Sequence, residues 1–390
     1  MDRKLVFFIS TKYLEYTLFF LATITFARYI GKVEYGNHAL VFTSISYAPF
    51  FLLGTNQLTL RNITIEKNLD LVIRQSCYLF LGLLSLALFF CAFSTDKLHF
   101  IVLAIVSLKL TNEYLLTLAR GLKKYNLMSF CYVLTSTIWF VYLVFLEKAV
   151  FFYLWPLALL APFLLLIICL RAILVTKKRI IVRFKEMFEW VSKGYKYAII
   201  GLYLPISTTL DRWFIDADKF GAELGLIQFS FNLSNIFSFG LGAFSFYFYP
   251  IFLEKISLNS EAFSKLRNSI IQVQIGLIIL TFSALFIVKY IDLSIVGFGQ
   301  YNGILKYLWL YLPVRIFIWA FFPFNVLVDV KNQQSTYMYY VLIMLGMQFL
   351  IYFSLNVLND DYIVKLHSYV QLGMVLVLTV MLNLKSKKWI

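Results

Sequence analysis

The sequence predicts an all-α, polytopic integral membrane protein with twelve transmembrane helices in two sets of six. Three observations lead there. Of 390 residues, 61% are hydrophobic and only 14% charged, against roughly 45–50% and about 25% in soluble domains. The apolar residues gather in runs of about 20, the length a helix needs to cross a bilayer. The basic residues fall in alternate loops, as cytoplasmic loops of membrane proteins require.

The runs lie at approximately 5–27, 38–60, 75–93, 99–119, 127–146, 150–174, 196–216, 224–250, 269–289, 304–328, 337–357 and 362–384. No small-residue cleavage site interrupts the first, so it reads as a span rather than a signal peptide. Short loops join them. The longest polar connection, TKKRIIVRFKEMFEWVSKGYK (Thr176 to Lys196), is expected to lie on the membrane surface as an amphipathic helix. It divides the chain into an N-terminal bundle (1–175), a linker (176–195) and a C-terminal bundle (196–390). With the N-terminus inside, the inner segments collect 23 Lys and Arg and the outer ones 8. Both termini are therefore expected in the cytoplasm. The net charge of +15 reads as this orientation signal rather than as a nucleic-acid surface.

The stretch FARYIGKVEYGNHALVF (Phe26 to Phe42) follows the first run, and DKFGAELGLIQFSF follows the seventh. Each sets two glycines, Gly31 and Gly36 or Gly221 and Gly225, around an acid, Glu34 or Glu223. The match suggests a repeat of six helices per half, related by an axis along the membrane normal. All seven prolines lie in or at the ends of apolar runs, where they kink helices. The four cysteines sit inside apolar runs without CxxC spacing and read as small core residues. The three histidines are far apart, and no metal or cofactor motif is present.

A charge at the bilayer centre costs about 2.5–3.5 kcal/mol on insertion scales, so the charges inside the runs are the candidate functional residues. Lys12 and Glu15 share a face of the first span, and Lys109 and Glu113 share a face of the fourth. Asp211 and Arg212 are neighbours in the seventh, and Arg315 stands alone in the tenth. Each Lys–Glu pair can self-neutralise and simply join helices, and Lys12 can reach toward the cytoplasmic surface. Arg212 and Arg315 have no partner on their own helix. They must find one elsewhere or line water, and Arg with Lys suits an anion such as phosphate. Arg212, Arg315, Lys109, Lys12 and Arg28 are thus the candidate anion-binding set. Glu15, Glu113 and Asp211 are candidates for proton or sodium coupling. Arg28 follows Lys12 by roughly 24 Å along a helix, too far to share one phosphate with it. It is an outer-mouth headgroup contact or an interfacial anchor. The acids of Asp216–Asp218 and Asn359–Asp361 read as solvated caps. No Walker motif, HExxH, GxSxG or Gly-rich nucleotide loop is present, so no enzyme activity is expected.

These segments resemble the Wzx-type O-antigen and polysaccharide flippases. FARYIGKVEYGNHALVF is similar to their helix 1 to helix 2 signature and LGTNQLTLRN (Leu53 to Asn62) to their end of helix 2. STTLDRWFIDADKFGAELGLIQFSFNLSNI (Ser207 to Ile236) is similar to the helix 7 to helix 8 segment. FYPIFLEK and GQYNGILKYLWLYLP fit the segments after helix 8 and before helix 10. Leu226 replaces the usual aromatic, and Lys32-Val33 replaces a Pro-containing turn. The resemblance implies the multidrug/oligosaccharidyl-lipid/polysaccharide (MOP) exporter superfamily, with a MATE-like fold of two six-helix bundles working by alternating access. It implies flipping of an undecaprenyl-pyrophosphate-linked oligosaccharide across a bacterial inner membrane. A polysaccharide polymerase, a chain-length regulator and membrane lipids would then be partners. Two other readings fit the hydropathy: an O-antigen polymerase, which should have a large outer loop, and a drug antiporter on the same fold, whose cavity should hold acids.

Overall fold

The computed structural model describes residues 3–48, 52–65, 97–145, 150–174, 184–259, 261–289 and 299–389. The predicted third span (75–93), Cys77 and Cys91 and the first part of the linker lie outside these residues. The described chain is helical, as its apolar runs demand. A backbone in hydrocarbon must satisfy its own hydrogen bonds. Eight of the described helical segments are long and apolar enough to cross a membrane. The protein is a multi-pass membrane protein.

The helices are α1 (Arg3–Ile30), α2 (Lys32–Asn37), α3 (Ala39–Ser46), α4 (Thr55–Thr64), α5 (Lys97–Gly121), α6 (Tyr125–Phe145) and α7 (Phe151–Leu174). They continue as α8 (Phe184–Ser207), α9 (Ala217–Leu258), α10 (Glu261–Val288), α11 (Leu305–Phe317), α12 (Phe321–Val330), α13 (Gln334–Leu358) and α14 (Asp360–Ser386). They group into two compact units. The first holds residues 1–22, 44–202 and 246–254; the second holds 23–43, 203–245 and 255–390.

Three spans differ in detail from the apolar pattern. The second is broken: α3 ends, and Leu53 and Gly54 adopt positive φ (47° and 70°) before α4 begins. The break permits a close approach within the first unit. A methyl group on Gly54 would collide with the Gly194 carbonyl, and one on Gly194 with the Leu53 carbonyl. The tenth span is α11 and α12 joined through a short 3-10 turn, Ile318–Ala320. The seventh begins and ends earlier than expected. Helix α8 continues unbroken from Phe184 in the expected surface segment into the span, then stops at Ser207. Its last carbonyls are taken by side chains, because a helix C-terminus leaves acceptors unpaired. Thr208 Oγ1 donates to Leu204 O (2.7 Å) and Thr209 Oγ1 to Pro205 O (2.6 Å). Gln348 Nε2 donates to Ser207 O (2.6 Å). Asp211 and Arg212 therefore sit in a 3-10 turn, Leu210–Trp213, beyond the helix end. Asp216 then caps α9, accepting from the Asp218 amide (2.9 Å), the capping role its exposed acidic turn suggested.

The core of the first unit packs Phe8 of α1 against Tyr125 and Tyr132 of α6 and Tyr247 of α9, with Leu110, Tyr114 and Leu118 of α5 and Leu166 of α7. In the second unit the core joins Leu224 and Ile227 of α9 to Tyr307 and Tyr311 of α11 and Ile363 and Val364 of α14.

The hairpin between α1 and α3 explains its two glycines within the second unit. Gly31 turns the chain at φ 84° between α1 and α2, a conformation that glycine adopts without a side-chain clash. A methyl group on Gly36 would collide with the Gly221 carbonyl, and one on Gly225 with the Lys32 carbonyl. The two glycine-pair motifs thus pack backbone to backbone. Tyr301 OH donates to Ala27 O (2.8 Å), Gln300 Nε2 to Arg28 O (3.1 Å), and Asn232 to the Tyr35 hydroxyl.

Candidate functional site

The second unit gathers Asp211, Arg212 and Arg315. The 3-10 turn after α8 places Asp211 and Arg212, and the last turn of α11 places Arg315. Arg212 is 1% exposed and Arg315 7%. Both guanidiniums lie over the ring of Phe231 from α9, their Cζ atoms 4.3 and 4.1 Å from its centroid. A desolvated cation over a ring gains about 2 kcal/mol, which offsets part of the burial cost. It does not satisfy the nitrogens. Arg212 Nη1 donates to Thr43 Oγ1 (3.4 Å). Nε and Nη2 of both residues are buried and find no acceptor among the described residues. Each orphaned donor costs about 1–3 kcal/mol.

Asp211 is fully buried beside them. Its oxygens accept from neutral donors, Gln371 Nε2 (3.3 Å) and Tyr311 OH (3.5 Å). Behind it, His367 lies 5.6 Å from the rings of both Tyr307 and Tyr311. Its Nδ1 faces the carbonyls of Ile363 and Val364 (3.1 Å each), and Ser368 Oγ meets Nε2 (2.8 Å). Nδ1 therefore carries a hydrogen and Nε2 accepts. The cluster holds two cations and one carboxylate, an excess of positive charge in a dry setting where charges interact strongly.

The first unit holds Lys12, Glu15, Lys109 and Glu113. Lys12 does not reach the protein surface. It is 6% exposed, paired with Glu15 at 2.6 Å. Its Nζ stands 4.3 Å from the Tyr16 ring centroid, 4.0 Å from that of Tyr132 and 5.4 Å from that of Phe246. Lys109 bonds the Ile45 carbonyl (3.2 Å), where the broken second span has a free acceptor, rather than pairing with Glu113. Arg28 stays on the exposed surface of the second unit, unlike the buried pair.

Sequence reasoning missed several neighbours. Phe231 is one of 41 phenylalanines and carries no signal of its own. Arg120 is among the basic residues of the inner segments in sequence, yet its guanidinium lies over Phe246 (4.7 Å) and Tyr249 (5.2 Å) in the first unit. Gln348 and Gln371, polar amides in apolar helices, could have been found by the same cost argument that singled out the arginines.

No protein-family model matches the chain, and no curated protein sequence matches it. Solved structures match over its whole length. A point mutant of the Vibrio cholerae MATE transporter VcmN superposes with a TM-score of 0.64 at 13% identity, covering 99% of this chain and 96% of that one. An outward-facing multidrug resistance MATE transporter of the MOP superfamily gives 0.62 at 11% identity, with the same coverage. A MOP superfamily transporter from Pyrococcus furiosus, described by the reverse polarity of its binding pocket, gives 0.54 at 10% identity over 99% and 96%. Across its full length, this chain has the fold of the MATE transporters of the MOP superfamily.

Proposed function

We propose that this protein is a transporter rather than an enzyme, and that it flips an undecaprenyl-pyrophosphate-linked oligosaccharide across a bacterial inner membrane by alternating access. The observation that carries the reading is the Arg212–Arg315 pair on Phe231. Two buried guanidiniums with orphaned nitrogens are a receptor for an anion with several oxygens. Arginine forks match phosphate geometry, and a pyrophosphate supplies the acceptors that the protein withholds. Asp211, held by neutral donors, is the carboxylate we assign to proton or sodium coupling. The MATE fold alone also suits a drug antiporter. Organic cations, however, would meet like charge at this pair. The Pyrococcus furiosus structure is described by a binding pocket of reverse polarity that suggests a different function, which accords with a change of cargo on this fold.

The test is surface polysaccharide in a strain carrying Arg212→Ala or Arg315→Ala at wild-type abundance. We expect loss in both. Wild-type polysaccharide in both variants would remove the anion argument. Efflux of a cationic dye by the wild-type protein would favour the antiporter.

A further inference from the structure

We propose that the first unit holds its own binding site for an uncharged saccharide, built on one face of α6; the inference rests on the reading that the cargo carries sugar. Tyr125, Tyr132 and Ser136 stand at i, i+7 and i+11 on α6, within about 40° of one another around the helix. All three hydroxyls are buried without a hydrogen-bond partner among the described residues. Tyr132 is 1% exposed and Ser136 2%. The intervening Ser129 is not in this state, since its Oγ donates to Tyr125 O (3.0 Å). Buried hydroxyls normally find partners, so three orphans on one helix face mark a place that a ligand with hydroxyls would complete.

The surroundings choose the ligand's charge. The Lys12–Glu15 pair lies against Tyr132, with Lys12 Nζ 4.0 Å from its ring centroid. The pair is neutral as a whole, and the nearby Arg120 is engaged by the rings of Phe246 and Tyr249, so the pull on an anion is weaker than at the second unit's arginines. It offers both an ammonium donor and a carboxylate acceptor, suited to neighbouring hydroxyls on a sugar ring. The hydroxyls of Tyr125, Tyr132 and Ser136 can each donate and accept. Aromatic surface is at hand: Phe246 lies 5.4 Å from Lys12 Nζ, and Phe8 packs edge-on to Tyr125 and Tyr132. Such faces suit the C–H side of a pyranose. A purely apolar ligand would leave the three hydroxyls unpaired, and a phosphate would meet Glu15.

The experiment is saturation-transfer NMR on the full-length protein in nanodiscs, with free glucose, galactose, mannose, N-acetylglucosamine and N-acetylgalactosamine as probes. The wild-type protein should saturate at least one sugar. Tyr132→Phe combined with Ser136→Ala should reduce that signal at least fivefold, whereas Tyr153→Phe, on an exposed tyrosine of α7, should leave it. The same double variant should keep or raise the melting temperature, because it deletes hydroxyls that have no partner. No saturation of any sugar by the wild type would overturn the site, with the hydroxyls then simply strained or hydrated. An undiminished signal in the double variant, or a collapsed melting temperature, would overturn it equally. These outcomes are independent of the pyrophosphate reading, which fails separately if lipid pyrophosphate does not bind.

Discussion

At the scale of single residues, Arg212 and Arg315 are expected to serve binding rather than stability. A buried charge with orphaned donors destabilises the fold, and replacing it with an apolar residue of similar size is often neutral or stabilising. Arg315→Met is therefore expected to keep or raise the melting temperature while weakening lipid-pyrophosphate binding roughly ten- to a hundredfold. A melting temperature lower by many degrees would instead give Arg315 a structural role. Phe231→Leu removes the ring that both cations share, at about 2 kcal/mol for a desolvated contact. It should lower the melting temperature by several degrees, measured by intrinsic fluorescence on heating. The arginines were legible in the sequence because charge in hydrocarbon is costly. Their shared ring was not, since one phenylalanine in a phenylalanine-rich chain is indistinguishable from lipid-facing filler. Lys12 was legible as a charge, but its place was not: reaching for the surface and pairing with Glu15 fit the same spacing, and the pair at 2.6 Å settles it.

At the scale of elements, backbone contacts at glycine decide where helices touch. A methyl group on Gly36 or Gly225 would strike backbone carbonyls, and a carbonyl cannot rotate away as a long side chain can. Gly36→Ala and Gly225→Ala should each cost about 1–3 kcal/mol, as overpacking does. By contrast Gly276 has open space around its Cβ position, so Gly276→Ala should be neutral or gain up to about 1 kcal/mol from helix propensity. Thermal unfolding of the three variants checks both halves, and equal losses would contradict the packing argument. The glycine pairs were visible as a repeated pattern, while their mutual contact was not, because spacing along one segment says nothing of its partner. The helix breaks were hidden for a related reason. Hydropathy averages over a run and is blind to Leu53 at positive φ. It is equally blind to Thr208 and Thr209 closing α8 a turn before the polar residues begin.

At the scale of the whole molecule, hydropathy carried most of the helical architecture, because a bilayer forces every span to be long, apolar and helical. The MATE fold was reached through order and placement of motifs, not through any sequence identity that a family model could match. The orientation remains an expectation with its own test. Asp218→Cys should react with an impermeant maleimide in intact cells, and Lys265→Cys should react only after permeabilisation; the reverse labelling would invert the topology. The most direct measurement of the central claim is equilibrium binding of undecaprenyl pyrophosphate, without sugar, to the purified protein. Hydrogen bonds to charged groups contribute about 1.5–3 kcal/mol, so Arg212→Ala and Arg315→Ala should each weaken binding by roughly ten- to a hundredfold. Equal affinity for wild type and both variants, or no binding at all, would contradict it.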